Sequence, residues 1–417
     1  MSTRPASNGH AQIDRVDPHT TARRPDWPSA ALGKWPGIFG VRGLEFVLPS
    51  GARVARGASP VATLRLLTPH AVRTVLTRDQ MGMFEAFMDR EIDIEPRPRQ
   101  DAAAAFLAAL EALDAQTFDI RLLAAAIHSS RFFWQQTTAA RRAKLAAHYS
   151  VPEEFWLAFM NGDYPIYSHY LFEENEGWQD WKAACERKLA FAVRVCQLRA
   201  GDRLLNIGEG WGGMLAYAGR RDIRHTGLTL NEESYKACLH KLDKEHLGGT
   251  AEVVLVDFYN YRPSQTFDAI TNMGVTEHLT DYDGMLAQYA RLLRPGGYVY
   301  SDFVGTVRNV PFRSLIQKYV YPGASAVYLP KLLEAVARNG QFDVVETHDD
   351  RLSYDKTCEA WARNVEQSRD FLASTFGERR YRWMWAYLWM CVYGFRHYGI
   401  GITGTRVVLR RRPLNAS

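Results

Sequence analysis

The chain has 417 residues, more than a single hydrophobic core usually organises, so we expect two domains. A formal net charge of +5 is small for this length and argues against a nucleic-acid partner, although a mildly basic surface suits an anionic membrane face. The composition is otherwise that of a soluble globular protein, with aromatic residues at a plentiful 12%.

The five cysteines lie far apart in the sequence, and none of them forms a Cys-x-x-Cys pair. This spacing argues against a zinc site and against a disulfide framework. We therefore expect no metal site and a reducing, cytoplasmic compartment.

The amino-terminal part predicts an arm followed by a small domain. Residues 1–36 are polar, rich in proline and arginine, and lack the apolar segment of a signal peptide, so we expect a disordered arm. Residues 37–140 are predicted to form an α+β domain, with strands at 46–48 and 61–64 around the turn Pro49-Ser50-Gly51. Helical apolar spacing recurs at 81–88 and 101–113, and the compact motif at 82–94 indicates no particular chemistry.

Residues 141–417 are predicted to form the second domain. Aromatic-rich helices come first, and strands then alternate with helices, which is typical of a doubly wound, mainly parallel sheet with a ligand crevice at the carboxyl ends of its strands. The predicted strands span 204–207, 225–230, 251–257, 267–273 and 298–303. Helices are predicted at 232–242 and 286–293, the second ended by Pro295-Gly296-Gly297.

The first of these strands runs into the turn Gly208-Glu209-Gly210-Trp211-Gly212-Gly213, and a helix-like stretch follows. Glycines let a ligand approach the main chain, and the free N–H groups of a new helix favour a nucleotide or nucleoside there. The second strand ends without the acidic residue that a dinucleotide enzyme needs for its ribose. An acidic residue, Asp257, instead closes the third strand.

Residues 383–395 are the one membrane-like stretch, and Arg382 and Arg396 bracket them. The stretch is too short to span a bilayer, which needs about 20 apolar residues. A buried aromatic helix is the favoured interpretation, with direct membrane contact as the alternative.

Together these motifs resemble those of class I S-adenosylmethionine-dependent methyltransferases. The resemblance is most specific to the cyclopropane fatty acid synthases and mycolic acid methyltransferases, and it covers nearly the whole chain. The amino-terminal domain is similar to the small lipid-binding domain of that family. The blocks that carry the resemblance lie at 148–149, 167–172, 208–213, 227–230, 274–278, 293–297, 312–323 and 353–361.

The resemblance implies S-adenosylmethionine as the cofactor and a set of residues that hold it. Two departures from the family pattern, Asn206 for an aspartate and Glu209 for a cysteine, lie just before and within the glycine-rich turn. The implied contacts are Tyr167 and Ser168 at the methionyl part, Gly208, Gly210 and Gly212 packed against the cofactor, Thr229 and Leu230 near the ribose, and Asp257 near the adenine.

The implied reaction moves a methyl group to a cis double bond of a fatty acyl chain. It produces a carbocation, which water would quench, so we expect a dry site lined by aromatic faces. Each desolvated cation–π contact is worth about 2 kcal/mol. The candidate aromatic residues are Tyr167, Tyr170, Phe172, Phe303, Tyr319, Tyr321 and Tyr354.

The family closes the cyclopropane ring with a bound bicarbonate ion, held by a Cys, a Glu, a His and a Tyr. By resemblance this chain keeps Glu277 and Tyr354 as catalytic residues, but it has His169 for the cysteine and Asp302 for the histidine. Like charges about 4 Å apart cost about 4 kcal/mol at an effective dielectric near 20, so Asp302 should weaken bicarbonate binding. A protonated carboxyl, or His169 as a cation, would reduce that penalty.

Three outcomes stay open at this point. Asp302 or Glu277 is itself the base, an altered anion cage still works, or the cation loses a proton elsewhere and leaves a methylated alkene. We favour the product that retains its methyl group over the ring.

Phospholipid acyl chains at the inner face of the membrane are the implied substrates, and a homodimer is a possible assembly. Two other functions compete with this one: a methyltransferase of a non-lipid small molecule on the same fold, and a lipid-binding pseudoenzyme.

Overall fold

A computed structural model of the chain describes residues 42–55, 59–77, 80–114, 151–309, 318–320 and 324–413. The predicted arm and the predicted domain boundary at 140 lie outside these ranges. His148, Tyr149 and Tyr321, which the sequence analysis singled out, also lie outside them.

Residues 42–114, the amino-terminal unit, form a four-stranded sheet with three helices. The strand order is β2-β1-β3-β4, in which β1 and β3 are parallel and the other pairs are antiparallel. The turn Pro49-Ser50-Gly51 leads from β1 into β2, a strand the sequence did not indicate. The elements are β1 (Leu44–Val47), β2 (Arg53–Ala55), β3 (Ala62–Leu66), α1 (Pro69–Thr77), α2 (Gln80–Met88), β4 (Ile92–Glu95) and α3 (Ala102–Asp114).

Residues 151–413, the carboxy-terminal unit, are built on a seven-stranded sheet. Its strands are β5 (Arg203–Ile207), β6 (Arg224–Thr229), β7 (Ala251–Leu255), β8 (Phe267–Met273), β9 (Leu293–Thr306), β10 (Phe342–Asp349) and β11 (Ile402–Arg411). Its helices are α4 (Glu153–Leu157), α5 (Trp181–Val195), α6 (Gly213–Gly219), α7 (Glu232–Lys244), α8 (Tyr282–Leu292), α9 (Leu329–Asn339), α10 (Arg351–Gln367), α11 (Arg369–Phe376) and α12 (Glu378–Arg396).

The sheet confirms the mainly parallel α/β architecture. Its order is β10-β11-β9-β8-β5-β6-β7, and only β11 runs against its neighbours, between β9 and β10. The glycine-rich turn after β5 and the turns after β6, β7 and β8 therefore meet at one edge, where the strands end.

Several element ends differ from the predictions, and two of them concern residues that the sequence analysis named. The third strand ends at Leu255, because the Asp257 side chain caps a 3₁₀ helix, Phe258–Asn260, instead of closing the strand. Helix α8 ends at Leu292, and β9 already begins at Leu293, so that Pro295-Gly296-Gly297 lies within the strand rather than between helix and strand.

The aromatic segment at 383–395 lies in α12, and most of its side chains are buried, which confirms the predicted buried helix. Trp385 stacks on Phe87 of the amino-terminal unit, with ring centroids 5.8 Å apart. Among the described residues, none of the helices combines the length and apolar character needed to cross a membrane.

Candidate active site

The glycine-rich turn opens a cavity of about 220 Å³ at the carboxyl ends of β5 to β8. Gly208 and Gly210 have φ angles of +76° and +60°, in the left-handed region that side chains disfavour. A side chain at 208 would also collide with Val275, across the cavity wall. The turn thus has the shape of a cradle for a ligand, and a Cβ atom would close it.

Six of the eight predicted cofactor residues line this cavity, and two do not. Ser168 lies outside the lining and is fully buried, where its hydroxyl accepts a hydrogen bond from Lys188. Gly212 lies outside it as the residue that precedes α6. The six that line the cavity are Tyr167, Gly208, Gly210, Thr229, Leu230 and Asp257.

Polar and apolar groups divide the cavity in a way that suits a nucleoside. Asp257 uses Oδ1 to accept from the backbone N–H of Tyr259 at 2.8 Å. Asn231 similarly accepts from Ser234 at 2.8 Å and begins α7. Leu230 is half exposed beside them and offers an apolar face. A ribose and a flat base therefore find oxygen acceptors and an apolar surface in one place.

The two departures from the family pattern, Asn206 in β5 and Glu209 in the turn, are partners. The buried Glu209 carboxylate accepts from Asn206 Nδ2 at 2.8 Å and from the backbone N–H of Leu215 at 3.0 Å, and it lies 2.7 Å from His225 Nε2. Gly227 makes room, since a Cβ there would lie 2.5 Å from Glu209 Oε2. Glu209 thus joins β5, β6 and the start of α6 beneath the turn.

The structure brings the four predicted catalytic residues together in one buried cluster. His169 and Asp302 are fully buried, with 3.8 Å between His169 Nδ1 and Asp302 Oδ1. The Tyr354 ring lies 4.8 Å from the His169 ring. Glu277 lies on the 3₁₀ helix Thr276–His278 that follows β8, and its Oε1 accepts from the backbone N–H of Val304 at 2.6 Å.

Burial raises the pKa of Glu277 from 4.5 to about 8. The Val304 hydrogen bond opposes this rise, and the negative charge of Asp302 adds to it. Burial, with the charge of Glu277 next, raises the pKa of Tyr354 well above its ordinary range. At neutral pH the cluster therefore holds a neutral tyrosine and a carboxyl that gains and loses a proton easily.

Three charged residues that the sequence analysis missed complete the cluster. The Lys188 ammonium lies 2.9 Å from Asp302 Oδ2, and both side chains are fully buried. His169 Nε2 lies 3.0 Å from Asp350 Oδ2, and the Arg406 guanidinium binds both oxygens of Asp350. The carboxylates of Asp302 and Asp350 thus flank His169, and each of them is paired with a cation, Lys188 or Arg406.

The pKa of Asp350 records this pairing. Burial alone would raise it, but hydrogen bonding and charge from His169 and from Arg406 lower it to about 2. Asp350 therefore stays ionised through the neutral range.

Sequence signals for these residues exist but are faint. Lys188 occupies a position in the apolar stripe of α5, together with Ala184, Cys185, Leu189 and Ala192. A lysine in such a stripe is rarely fully buried unless it is paired. Asp350 precedes α10 and resembles an ordinary helix cap, and Arg406 lies in β11, which had not been predicted.

The predicted aromatic residues have separate positions. Tyr167 lines the cavity and stacks on Trp361 at 5.1 Å, and Tyr354 stacks on Phe395 at 4.3 Å. Phe303 belongs to the apolar cluster on the sheet face opposite Asp302. The remaining described ones are Tyr170, buried with its hydroxyl bonded to Trp361, Phe172, half-buried, and Tyr319, bonded to Glu85.

A family model, mycolic acid cyclopropane synthetase, matches residues 136–403. The chain is 28% identical over 263 residues to a probable fatty acid methyltransferase of Pseudomonas putida. This alignment covers 60% of this chain and 65% of that protein. The chain is 26% identical over 354 residues to the cyclopropane-fatty-acyl-phospholipid synthase of Escherichia coli strain K12. This second alignment covers 84% of this chain and 88% of that protein.

Among solved structures, the mycolic acid cyclopropane synthase CmaA1, determined with SAH and CTAB, has a TM-score of 0.58 to this chain at 23% identity. The alignment covers 65% of this chain and 98% of that one. At this identity the likeness establishes the fold, a class I methyltransferase sheet.

Proposed function

Because the chain belongs to the mycolic acid cyclopropane synthetase family, and is therefore an enzyme that uses S-adenosylmethionine to modify unsaturated lipid chains, we propose that it methylates a carbon–carbon double bond of a phospholipid acyl chain. The product that we propose retains the methyl group on an alkene. One observation carries the proposal: a buried acid–base cluster adjoins the glycine-rich cavity, since Val275 lines the cavity and Glu277 follows two residues later.

The cavity residues fit the cofactor. The open glycine turn would admit its amino acid part, Asp257 and Thr229 offer oxygens to the nucleoside, and Leu230 offers an apolar wall. When bound, S-adenosylmethionine supplies an electrophilic methyl group. The family pattern implies Ser168 as a further contact at the methionyl part, whereas here its hydroxyl is buried against Lys188 outside the cavity lining.

The chain's own residues support a dry site for a cation. His169, Asp302 and Glu277 are nine-tenths buried or more, which supports a site from which water is excluded. Tyr167 lines the cavity, and an aromatic face there stabilises positive charge by about 2 kcal/mol when desolvated. The Tyr354 ring is packed against the rings of Phe395 and His169. The carboxylates add attraction for a cation at a low effective dielectric.

Glu277 is the base in this proposal. Its pKa of about 8 makes its ionised form a stronger proton acceptor than an ordinary carboxylate, while a useful fraction is still ionised at neutral pH. Its Oε1 is fixed by the Val304 N–H, and its Oε2 makes no hydrogen bond. That second oxygen is free to take a proton from the carbon chain of the cation, which leaves a methylated alkene.

The experiment is lipid profiling of a host that expresses the protein with methyl-labelled methionine. Nuclear magnetic resonance of the extracted lipids should show label in a methyl group on an alkene carbon. Upfield cyclopropyl protons that carry the label would overturn the methyl-retaining product, and unlabelled lipids would overturn the lipid substrate. Gly208→Val, which closes the cofactor turn, is the matched inactive control.

Association with the inner face of the membrane and formation of a homodimer belong to the same proposal. The mild positive charge of the chain supports the first. Co-sedimentation with anionic vesicles tests it, and light scattering tests the second.

A further inference from the structure

We propose that this active site binds no bicarbonate ion, because Asp302, held by Lys188, fills the place and the charge that the ion would take. The inference rests on the proposed function, since it concerns the proton acceptor of the same site. All the groups that accept or donate protons in the site then belong to the chain itself.

Half of the unsatisfied atoms of the cluster do not suit an anion. Among the described buried side chains of the cluster, the atoms that make no hydrogen bond are Glu277 Oε2, both oxygens of Asp302, His169 Nδ1, the Tyr300 hydroxyl and Arg406 Nη1. Three of these six atoms are carboxyl oxygens, which accept hydrogen bonds and call for a donor, and the charge of the Arg406 guanidinium is already balanced by Asp350. A bicarbonate ion offers mostly acceptors and a single donor, whereas a water molecule offers two donors.

The positive charges of the cluster are already committed. Lys188 lies 2.9 Å from Asp302 and donates to the Ser168 hydroxyl. Arg406 binds Asp350 through two nitrogens, and Asp350 also faces His169. No cation of the described cluster is left over to balance an added anion, which would lie against the Asp302 carboxylate and be repelled.

Another neighbour of Asp302, Tyr300, fits the same interpretation. Burial and the Asp302 charge raise the pKa of the Tyr300 hydroxyl well above its ordinary range, so this neighbour stays neutral. The Asp302 carboxylate has the same planar O–C–O group as a bicarbonate ion, but the chain holds it in place on β9. Compared with the family pattern, a histidine that would bind the ion is therefore replaced at position 302 by a carboxylate that takes the place of the ion.

The test compares turnover in carbon dioxide-depleted buffer with turnover after bicarbonate is added, using unsaturated phospholipid vesicles. The wild-type rate should be the same in both buffers. A severalfold stimulation by bicarbonate would overturn the inference. Binding of ¹³C-bicarbonate, followed by nuclear magnetic resonance, gives a second measurement that needs no turnover, and the wild-type protein should show no bound ion.

Asp302→Asn tests the cause. This change leaves the Lys188 ammonium without its counter-ion, so the variant should lose turnover in depleted buffer, bind ¹³C-bicarbonate, and recover turnover when the ion is added. A folded variant that binds no bicarbonate would overturn the role assigned to Asp302. Asp268→Asn makes the same chemical change at the amino end of β8 and should match the wild type in both buffers.

The two proposals fail in different ways. Absence of lipid methylation in either buffer counts against the proposed function, and the ¹³C binding measurement then still decides the inference. Should Asp302→Asn not fold, as judged by circular dichroism, the wild-type measurements decide it alone.

Discussion

Glu277 combines two properties that a single environment produces. Its burial raises its pKa, and the same burial removes water from the double bond that it faces in the proposed reaction. Only one of its oxygens is held, by the Val304 N–H. A carboxyl that is fixed at one oxygen and open at the other is suited to move a proton without moving itself.

We expect turnover to rise with pH until it levels off above about pH 8, because the ionised form of Glu277 is the base. Glu277→Gln should lower turnover by a factor of about 100 or more. A flat pH profile between about pH 6 and pH 8 would contradict this role. Glu233→Gln, a change of the same kind in the ion pair of Glu233 with Lys236, is the control and should retain full turnover.

The stability of the folded protein should fall as pH rises, in the opposite direction to turnover. The folded pKa of Glu277, about 8, lies above the ordinary value of 4.5, so its contribution to stability is complete below 4.5 and is lost as pH rises through about 8. Glu277→Gln removes this dependence. The variant should melt no lower than the wild type at pH 8, and a lower melting temperature would show that the charged form is not costly.

The cluster also shows where prediction from sequence ends at the residue scale. His169, Glu277, Asp302 and Tyr354 could be predicted because each lies inside a recognisable block. Lys188 could not, because a single lysine in a helix gives no sign that its ammonium will reach a strand more than 100 residues away. Pairing across the fold is a property of the packed structure and leaves only a weak local pattern.

At the scale of elements, the glycine-rich turn rests on a support that differs from the family pattern. The resemblance implies an aspartate in β5 and a cysteine in the turn, and this chain has Asn206 and Glu209. The Glu209 carboxylate reaches back to Asn206, so the acid has moved three residues along while the contact between strand and turn is kept. Gly227 in β6 provides the space.

Asn206→Asp should therefore destabilise the protein on its own and be tolerated together with Glu209→Gln. Alone it sets a second carboxylate against Glu209 and should destabilise the protein by about 3–5 kcal/mol, as an uncompensated buried charge does. Asn206→Asp with Glu209→Gln restores one acid and one amide and should recover at least half of the loss. Thermal unfolding and calorimetric binding of S-adenosylmethionine measure both effects.

A double variant that is as unstable as Asn206→Asp alone would contradict the proposed exchange of acid and amide between positions 206 and 209. Asn339→Asp, at the end of α9, controls for the change of charge and should leave cofactor affinity unaltered.

A strand or helix could be predicted well when its residues follow a regular pattern of burial. Strands β5, β6 and β8 are almost continuously buried, and their apolar runs were recognised. Strand β10 is an edge strand in which only Phe342 is buried, so its sequence FDVVETHD lacks a clear alternation. Strand β11 carries arginines that find partners only in the folded sheet, among them Arg406, and it was missed for that reason.

At the scale of the whole molecule, helix α12 joins the two units. Its first half meets the amino-terminal unit, where Arg382 donates to the carbonyls of Phe87 and Ile92 and to Asp93. Its last turn carries Phe395, which stacks on Tyr354 in the catalytic cluster. The helix therefore extends from the small sheet to the active site.

Arg382→Ala should destabilise the protein by about 3 kcal/mol, because it removes charged hydrogen bonds to three acceptors and leaves two carbonyls unsatisfied. Urea unfolding measures the loss. Arg380→Ala, an exposed change two residues earlier, should stay within about 0.5 kcal/mol of the wild type. Equal stabilities of the two variants would mean that the contact between the units contributes little.

The motif at 82–94, for which the sequence indicates no particular chemistry, is explained by contacts between the two units. Glu85 binds Lys318 and Tyr319, Asp89 lies 2.8 Å from Arg379, and Asp93 lies 2.7 Å from Arg382. Its carboxylates face basic residues that lie more than 200 positions away in sequence. Their role could not be predicted from the motif, because the other half of each pair is in the other unit.

The Glu85 contact has a consequence for protein engineering. A chimera that joins this carboxy-terminal unit to the small domain of a relative would bring Lys318, Arg379 and Arg382 against a surface selected for different partners. Such an exchange should succeed only when acidic residues are transplanted to positions 85, 89 and 93 with it. A fourth carboxylate, Asp101, lies 3.0 Å from Arg363 and belongs to the same graft.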